Sequence, residues 1–144
     1  MLFQSILVAY DGSKASTKAL EKAIALAKAS PGAKLEVLHA FDFPRLYLAD
    51  GFAQVPASFN QELYNLAERT VNEARSIVAE AGVEGTVELV QGQAAEVILK
   101  HASTHDNDVI VLGSRGMGGI REFVLGSVSH NVAQHAKIPV LILK

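Results

Sequence analysis

The chain has 144 residues and no cysteine. Disulfides, thiolate metal sites and cysteine nucleophiles are thereby excluded. An excess of charge of one sign is missing too: 13 Lys and Arg stand against 15 Asp and Glu, a formal net charge of −2. No run of lysine and arginine makes up for it, so the chain carries no electrostatic footprint for nucleic acid. No apolar stretch approaches the roughly 18 residues that a membrane-spanning helix needs. Met1-Leu2-Phe3-Gln4-Ser5 shows no basic segment followed by a long apolar one, so a secretory signal is not expected. The expectation is a soluble, cytoplasmic protein. With 49% hydrophobic and 19% charged residues, disorder is not expected either. One domain with its own core fits this length, and neither a linker nor an internal repeat divides it.

What is present alternates between two periods. Ile6-Leu7-Val8-Ala9-Tyr10 is a short apolar run followed by Asp11-Gly12-Ser13, which reads as a strand buried on both faces and then a turn. From Ser13 to Ser30 the apolar residues Ala15, Ala19, Leu20, Ala23, Ile24 and Ala27 fall on one helical stripe, closed by Pro31-Gly32. Leu35 to Ala40 is a second strand. Phe41 to Ser58 shows no period and reads as a long loop. Ser58 with Gln61 fits a capping box, opening a helix to about Ala81 whose apolar face includes Leu63, Leu66, Ala67, Val71, Ala74 and Val78. A third strand at Val87 to Val90, a short helix from Ala94 to about Ser103, and a fourth strand at Val109 to Leu112 follow. A last helix from Ser127 to Ala136 and a strand from Ile138 to Leu143 complete the chain.

This alternation predicts a single-domain α/β fold, an open parallel five-stranded sheet with helices on both faces. Ligands in such sheets lie beyond the carboxyl ends of the strands, where the strand order reverses. The loops after the first and fourth strands are therefore candidates to line one crevice. An apolar C-terminal strand interrupted at Pro139 suits a sheet edge, where it could pair with a second copy of the chain.

The loop after the fourth strand is rich in glycine, with Gly113, Gly116, Gly118, Gly119 and Gly126 ahead of Ser127. A strand, a glycine loop and a helix N-terminus together can hold phosphates on backbone N–H groups. The loop is not a Walker A sequence, since no lysine stands near Gly126-Ser127. It is not a Rossmann fingerprint, because Arg121 stands where the third glycine would be. The second helix carries Glu62 near its start and the third carries Glu96, whereas the fourth opens without an acid. Its positive dipole end would then be left for an anion, with Arg115 adding charge. The competing reading is structural: the glycines make tight turns and Ser127 caps the helix. Asp11 could cap the first helix or bind Mg²⁺ beside phosphates.

His101 and His105 lie four apart on the third helix, a spacing that can hold a metal, but no third ligand is evident in sequence. Their favourable interaction with the helix dipole accounts for them equally well. His130 and His135 lack an acid partner, and no nucleophile–base–orienter set suggests a hydrolase.

Gly113-x-x-Gly116, nine residues, then Gly126-Ser127 resembles the nucleotide-binding signature of the universal stress proteins. Ile6 to Ser13 is similar to that family's opening strand and loop, Val37 to Ala40 to its second strand, and Gly126 to Ser129 with Ile138 to Leu141 to its ending. The resemblance covers the whole chain. It implies a Rossmann-like fold of the adenine nucleotide alpha-hydrolase type, and a homodimer through the C-terminal strand, Ile138 to Leu143. It also implies binding of ATP with Mg²⁺. By position, Asp11 would meet the ribose or a phosphate-bound Mg²⁺, and Ala40 would meet adenine through its backbone. Tyr10, larger than the residue often seen before that aspartate, would crowd the base or stack on it. Gly113, Ser114, Arg115, Gly116, Met117, Gly126, Ser127, Val128 and Ser129 would hold ribose and phosphates. The implied role is that of a regulator of the stress response. A nucleotide-free interaction module, or a slow ATPase that phosphorylates its own serines, are the other readings.

Overall fold

The computed structural model describes residues 2–44, 46–48, 51–53, 56–116 and 125–144. Its elements follow the order β1 (Ser5–Ala9), α1 (Lys14–Ala29), β2 (Lys34–Phe41), β3 (Leu46–Leu48), β4 (Gly51–Ala53), α2 (Ala57–Ala81), β5 (Gly85–Gln91), α3 (Ala94–Thr104), β6 (Val109–Gly113), α4 (Ser127–His135) and β7 (Val140–Leu143). Five strands form one sheet in the order β5-β2-β1-β6-β7, and every pairing in it is parallel. The fold class read from the alternating pattern is the one observed. Among the described residues, no helix is long and apolar enough to cross a membrane.

Strands buried on both faces need apolar residues at every position rather than at alternate ones. β1 and β6 meet that need: Ile6, Leu7, Val8 and Val109 to Leu112 are at most 3% exposed. Ile6, Val8, Val109 and Val111 face one core together with Leu20, Ile24 and Val78 from α1 and α2. Leu7, Ile110 and Leu112 face a second core with Ile98 of α3 and Val132 of α4. Two helices thus cover each face of the sheet.

Three sequence expectations differ from the structure. The segment from Phe41 to Ser58 holds an antiparallel hairpin, with Leu46 opposite Ala53 and Tyr47 opposite Phe52. Strands of three residues are too short to show a period, and Asp50-Gly51 was its only turn signal in the sequence. The second helix starts at Ala57 behind Pro56, so Ser58 lies inside the first turn and caps nothing. Pro56 holds φ at −51° and supplies no side-chain hydrogen bond; its carbonyl accepts instead from Phe59 N–H at 3.0 Å. A proline pre-set for helix entry outcompetes the Ser58–Gln61 pair. Leu66, assigned to the apolar face, is 51% exposed, and the buried stripe of α2 begins only at Ala67.

Gly113 closes β6 against the start of α1. A Cβ there would lie 2.7 Å from the backbone carbon of Ala15 and 2.9 Å from the Ser16 nitrogen. Neither is the end of a flexible side chain, so the helix itself would have to move. Gly113→Ala is expected to destabilise the fold by about 1–3 kcal/mol, an overpacking cost, read as a lower urea midpoint with an unchanged m-value.

Candidate functional site

Strand order reverses between β1 and β6, because β1 is followed in sequence by its neighbour on one side and paired with β6 on the other. The loops leaving their carboxyl ends therefore flank one crevice. On the β1 side, Gly12 takes φ +84°, a left-handed conformation that only glycine adopts cheaply. Ser13 is the N-cap of α1, and its hydroxyl accepts from Ser16 N–H at 3.2 Å. Asp11 is thus not the helix cap. Its Oδ1 accepts from Ser13 N–H at 2.9 Å, which braces the loop.

The second carboxylate oxygen of Asp11 points at the glycine loop. A Cβ on Gly116 would lie 2.6 Å from Asp11 Oδ2. The two loops singled out in sequence therefore meet, and Gly116 is the residue whose lack of a side chain lets them. One carboxylate oxygen held by backbone and one facing the crevice is a donor arrangement that suits Mg²⁺ carried with phosphates, since that ion takes few protein ligands.

On the β6 side the loop is stitched to its neighbours. Ser114 N–H donates to the Leu143 carbonyl of β7 at 2.7 Å, and Gly126 N–H donates to the Ser114 carbonyl at 2.8 Å. Ser129, 2% exposed, donates its hydroxyl to the same Ser114 carbonyl at 2.7 Å and to Gly126 O at 3.1 Å. These bonds set the start of α4 directly over the end of β6. The Ser129 hydroxyl proton is committed to that stitch. Ser127 is exposed and is not the cap either: the N-cap is Gly126, which makes no side-chain bond. The N–H groups of Ser127 and Val128 have no acceptor among the described residues, as the first turn of any helix leaves them. Val128 packs its side chain into the core beneath.

The missing side chain of Gly113 serves the contact with α1. One inference from sequence loses its basis here. The acid-free start of α4 is not distinctive: α1 and α2 also lack an acid in the first turn, and only α3 carries one, Glu96. Glu62 falls in the second turn because α2 begins earlier than its capping signal suggested. What distinguishes α4 is its position at the crevice.

Tyr10 is only 4% exposed and sits in the core under α1 and α2, with its hydroxyl donating to Glu73 Oε2 at 3.2 Å. Burial, then the nearby Glu73 charge, push its phenol pKa up. Its ring is occupied by the core, so what Tyr10 presents toward the crevice is backbone. That backbone engages a residue the sequence reading passed over, His39, whose Nδ1–H donates to the Tyr10 carbonyl at 2.8 Å. A polar residue between Leu38 and Ala40, at the carboxyl end of a buried strand, was the available signal. Ala40 lies beside it at the end of β2, paired with Val90. Arg115 is half-buried in the β6 loop. Met117 lies outside the described residues.

The structure therefore brings together Asp11, Ser114 to Gly116 and Gly126 to Ser129, with His39 and Ala40 at the neighbouring strand end. Residues 2–144 match the Universal stress protein family. The chain is 38% identical to the universal stress protein YxiE of Bacillus subtilis, over 99% of this chain and all of that one. Two solved structures share the fold over the whole chain. A universal stress protein in complex with cAMP has a TM-score of 0.75 at 27% identity, with 99% of that chain covered. The universal stress protein from Archaeoglobus fulgidus in complex with dAMP has a TM-score of 0.72 at 26% identity, with all of that chain covered.

His39 gives this region a pH dependence. Burial lowers its pKa below the ordinary 6.5, against smaller raising effects from the Tyr10 carbonyl and the Asp11 charge. In the unfolded chain the imidazole takes up a proton near its ordinary value, whereas in the folded protein it resists until lower pH. The unfolded state binds more protons in that window, so stability falls as pH drops through 6.5 toward the folded value. Urea midpoints are expected to fall between about pH 7.5 and 5.5, and to fall less in His39→Gln. An equal fall in both proteins would remove His39 as the source.

Proposed function

The chain belongs to the universal stress protein family, and from that premise we propose that it binds ATP with Mg²⁺ in the crevice between β1 and β6, as a nucleotide-responsive regulator of the stress response. The observation that carries this reading is the meeting of Asp11 Oδ2 with Gly116 beneath the start of α4. In the proposed complex, Asp11 binds the ribose or the phosphate-bound Mg²⁺. Ser114, Arg115, Gly116 and Met117 wrap the phosphates, and the N–H groups of Ser127 and Val128 receive an anion at the positive end of the helix. Ser129 acts by holding Gly126 against Ser114. Ala40 meets adenine through its backbone. The nucleotide-bound relatives, with cAMP and dAMP, support an adenine nucleotide as the ligand.

Charge-assisted hydrogen bonds contribute about 1.5–3 kcal/mol each. Three or four of them, less the entropic cost of association, amount to micromolar affinity, around −8 kcal/mol. The sequence offers no nucleophile–base–orienter set, so turnover is expected to be slow.

The proposed assembly is a homodimer through β7. That strand pairs with β6 on one side and ends the sheet on the other, and Leu141 on it is 37% exposed. An apolar edge strand with open N–H and carbonyl groups is a ready template for a second copy.

Calorimetry with ATP–Mg²⁺ is expected to give micromolar binding to the wild type and none to Gly116→Val, whose side chain would meet the Asp11 carboxylate. Equal, negligible heat from both proteins would favour a nucleotide-free interaction module. Turnover above about one per second would favour an ATPase. Light scattering is expected to report a dimer at micromolar concentration, and a monomer at high micromolar concentration would remove the β7 interface.

A further inference from the structure

The amino-terminal end of the sheet, away from the crevice, carries two features that the proposed nucleotide site does not use. The first is the His101–His105 pair. Its rings stack face to face, with centroids 3.8 Å apart and 9° between planes. Their in-plane lone pairs run parallel and cannot converge on one ion, even with Glu36 Oε1 3.6 Å from His101. The second feature is a cavity of about 350 Å³ between the ends of α3 and α4.

This cavity forms where the two helices stop. α4 ends at His135, and Ala136 leaves it in an extended conformation, φ −66° and ψ 141°. The chain then passes through Lys137 and Ile138 to Pro139, whose carbonyl accepts from Ile110 N–H at 3.0 Å. On the other side α3 runs to Thr104. Ile110, the second residue of β6, lines the cavity together with Leu99, Ala102, Ala136 and Ile138. Ile110 and Ala102 are buried in the core beneath α3 and α4, and the other three pack against that core. The cavity is thus a gap in an apolar layer.

The polar part of the lining has charge of one sign. Lys100, Lys137, His135 and Ser103 border the gap, and no aspartate or glutamate is among the described residues that line it. Both lysines are exposed, and neither is in an ion pair among the described residues. On α3, Lys100 and Ser103 stand one turn apart beside Leu99 and Ala102, so a polar row runs along the apolar one. His135 Nδ1 is 2.9 Å from the Asn131 carbonyl oxygen. A carbonyl can only accept, so Nδ1 spends its proton there, and the lysines supply the charge at the rim. Cations at helix ends also complement the dipoles. That role does not account for the apolar gap beside them.

We propose that this cavity binds an amphipathic monocarboxylate, an alkyl or aryl chain that ends in one carboxylate. Small-molecule sites span about 300–1,000 Å³ and are mostly apolar, with a few polar groups that fix orientation. The chain fills the gap over Ile110, and the carboxylate stays at the rim with Lys100 and Lys137, in charge-assisted contact. The site needs no nucleotide and does not rest on the reading of the crevice.

Titration of the full chain with octanoate, without nucleotide, tests it by calorimetry and by amide shifts of the ¹⁵N-labelled protein. One octanoate per chain is expected, with a Kd below about 1 mM and the largest shifts at Leu99 to Ser103 and His135 to Ile138. Octanol, the neutral chain of the same length, is expected to bind at least about fivefold more weakly, as the lysines discriminate by charge. Lys100→Gln combined with Lys137→Gln, both at exposed positions, is expected to abolish that preference while octanol binding stays the same. Hexanoate is expected to bind more weakly than octanoate, by up to about fourfold for each missing methylene. No octanoate binding at millimolar concentration, shifts confined to other residues, no preference over octanol in the wild type, or the same preference in the double variant would each overturn the proposal.

Discussion

The pairing of β1 with β6 is the constraint on which the rest of the molecule depends. Both strands are buried on both faces, and both are apolar without interruption. They lie at the centre of the sheet, and the core on each side takes alternate residues from each of them. Their register, Ile6 opposite Val109 and Val8 opposite Val111, decides where the two following loops emerge. A slip of one residue would turn every side chain to the other face and separate the loops. The close seat of Gly113 against Ala15 belongs to the same constraint, since it fixes how near α1 comes to the end of β6.

From that pairing the crevice follows by short steps. Gly12 turns the chain, Asp11 is braced through one oxygen, and its other oxygen meets Gly116. Ser129 then ties α4 to Ser114, so the helix start points at the same place. The side chains in this region mostly hold backbone in position. Among the described residues, the backbone N–H groups at the start of α4 and the Asp11 carboxylate lie at this crevice, groups of the kind that suit phosphates and their counter-ion.

The two ends of the sheet carry different chemistry for a physical reason. At the carboxyl ends of the strands, helices begin, and N–H groups and positive dipole ends gather there. At the amino ends, helices finish, and carbonyls and negative dipole ends gather instead, which favours histidines and cations. His101 and His105 stand at such a helix end, and Glu36 enters from the neighbouring strand.

How much of this was legible depended on the distance over which each signal acts. Patterns within one segment were readable: the apolar runs of β1 and β6, the stripe of α1, the glycines of the loop, and from their alternation the parallel sheet. The hairpin at Leu46–Leu48 and Gly51–Ala53 was too short to show a period. The start of α2 went to Pro56 because two local signals competed and the sequence does not weigh them. Asp11 and Gly116 could be named as site residues, but not as neighbours. The same holds for Glu36 beside His101, which come from a strand and a helix 65 residues apart. Local periodicity by itself determined the elements and their class, because burial imposes its period on every strand and helix. Which residues from separate segments face one another was decided only by the tertiary structure, because strand order and register lie between them.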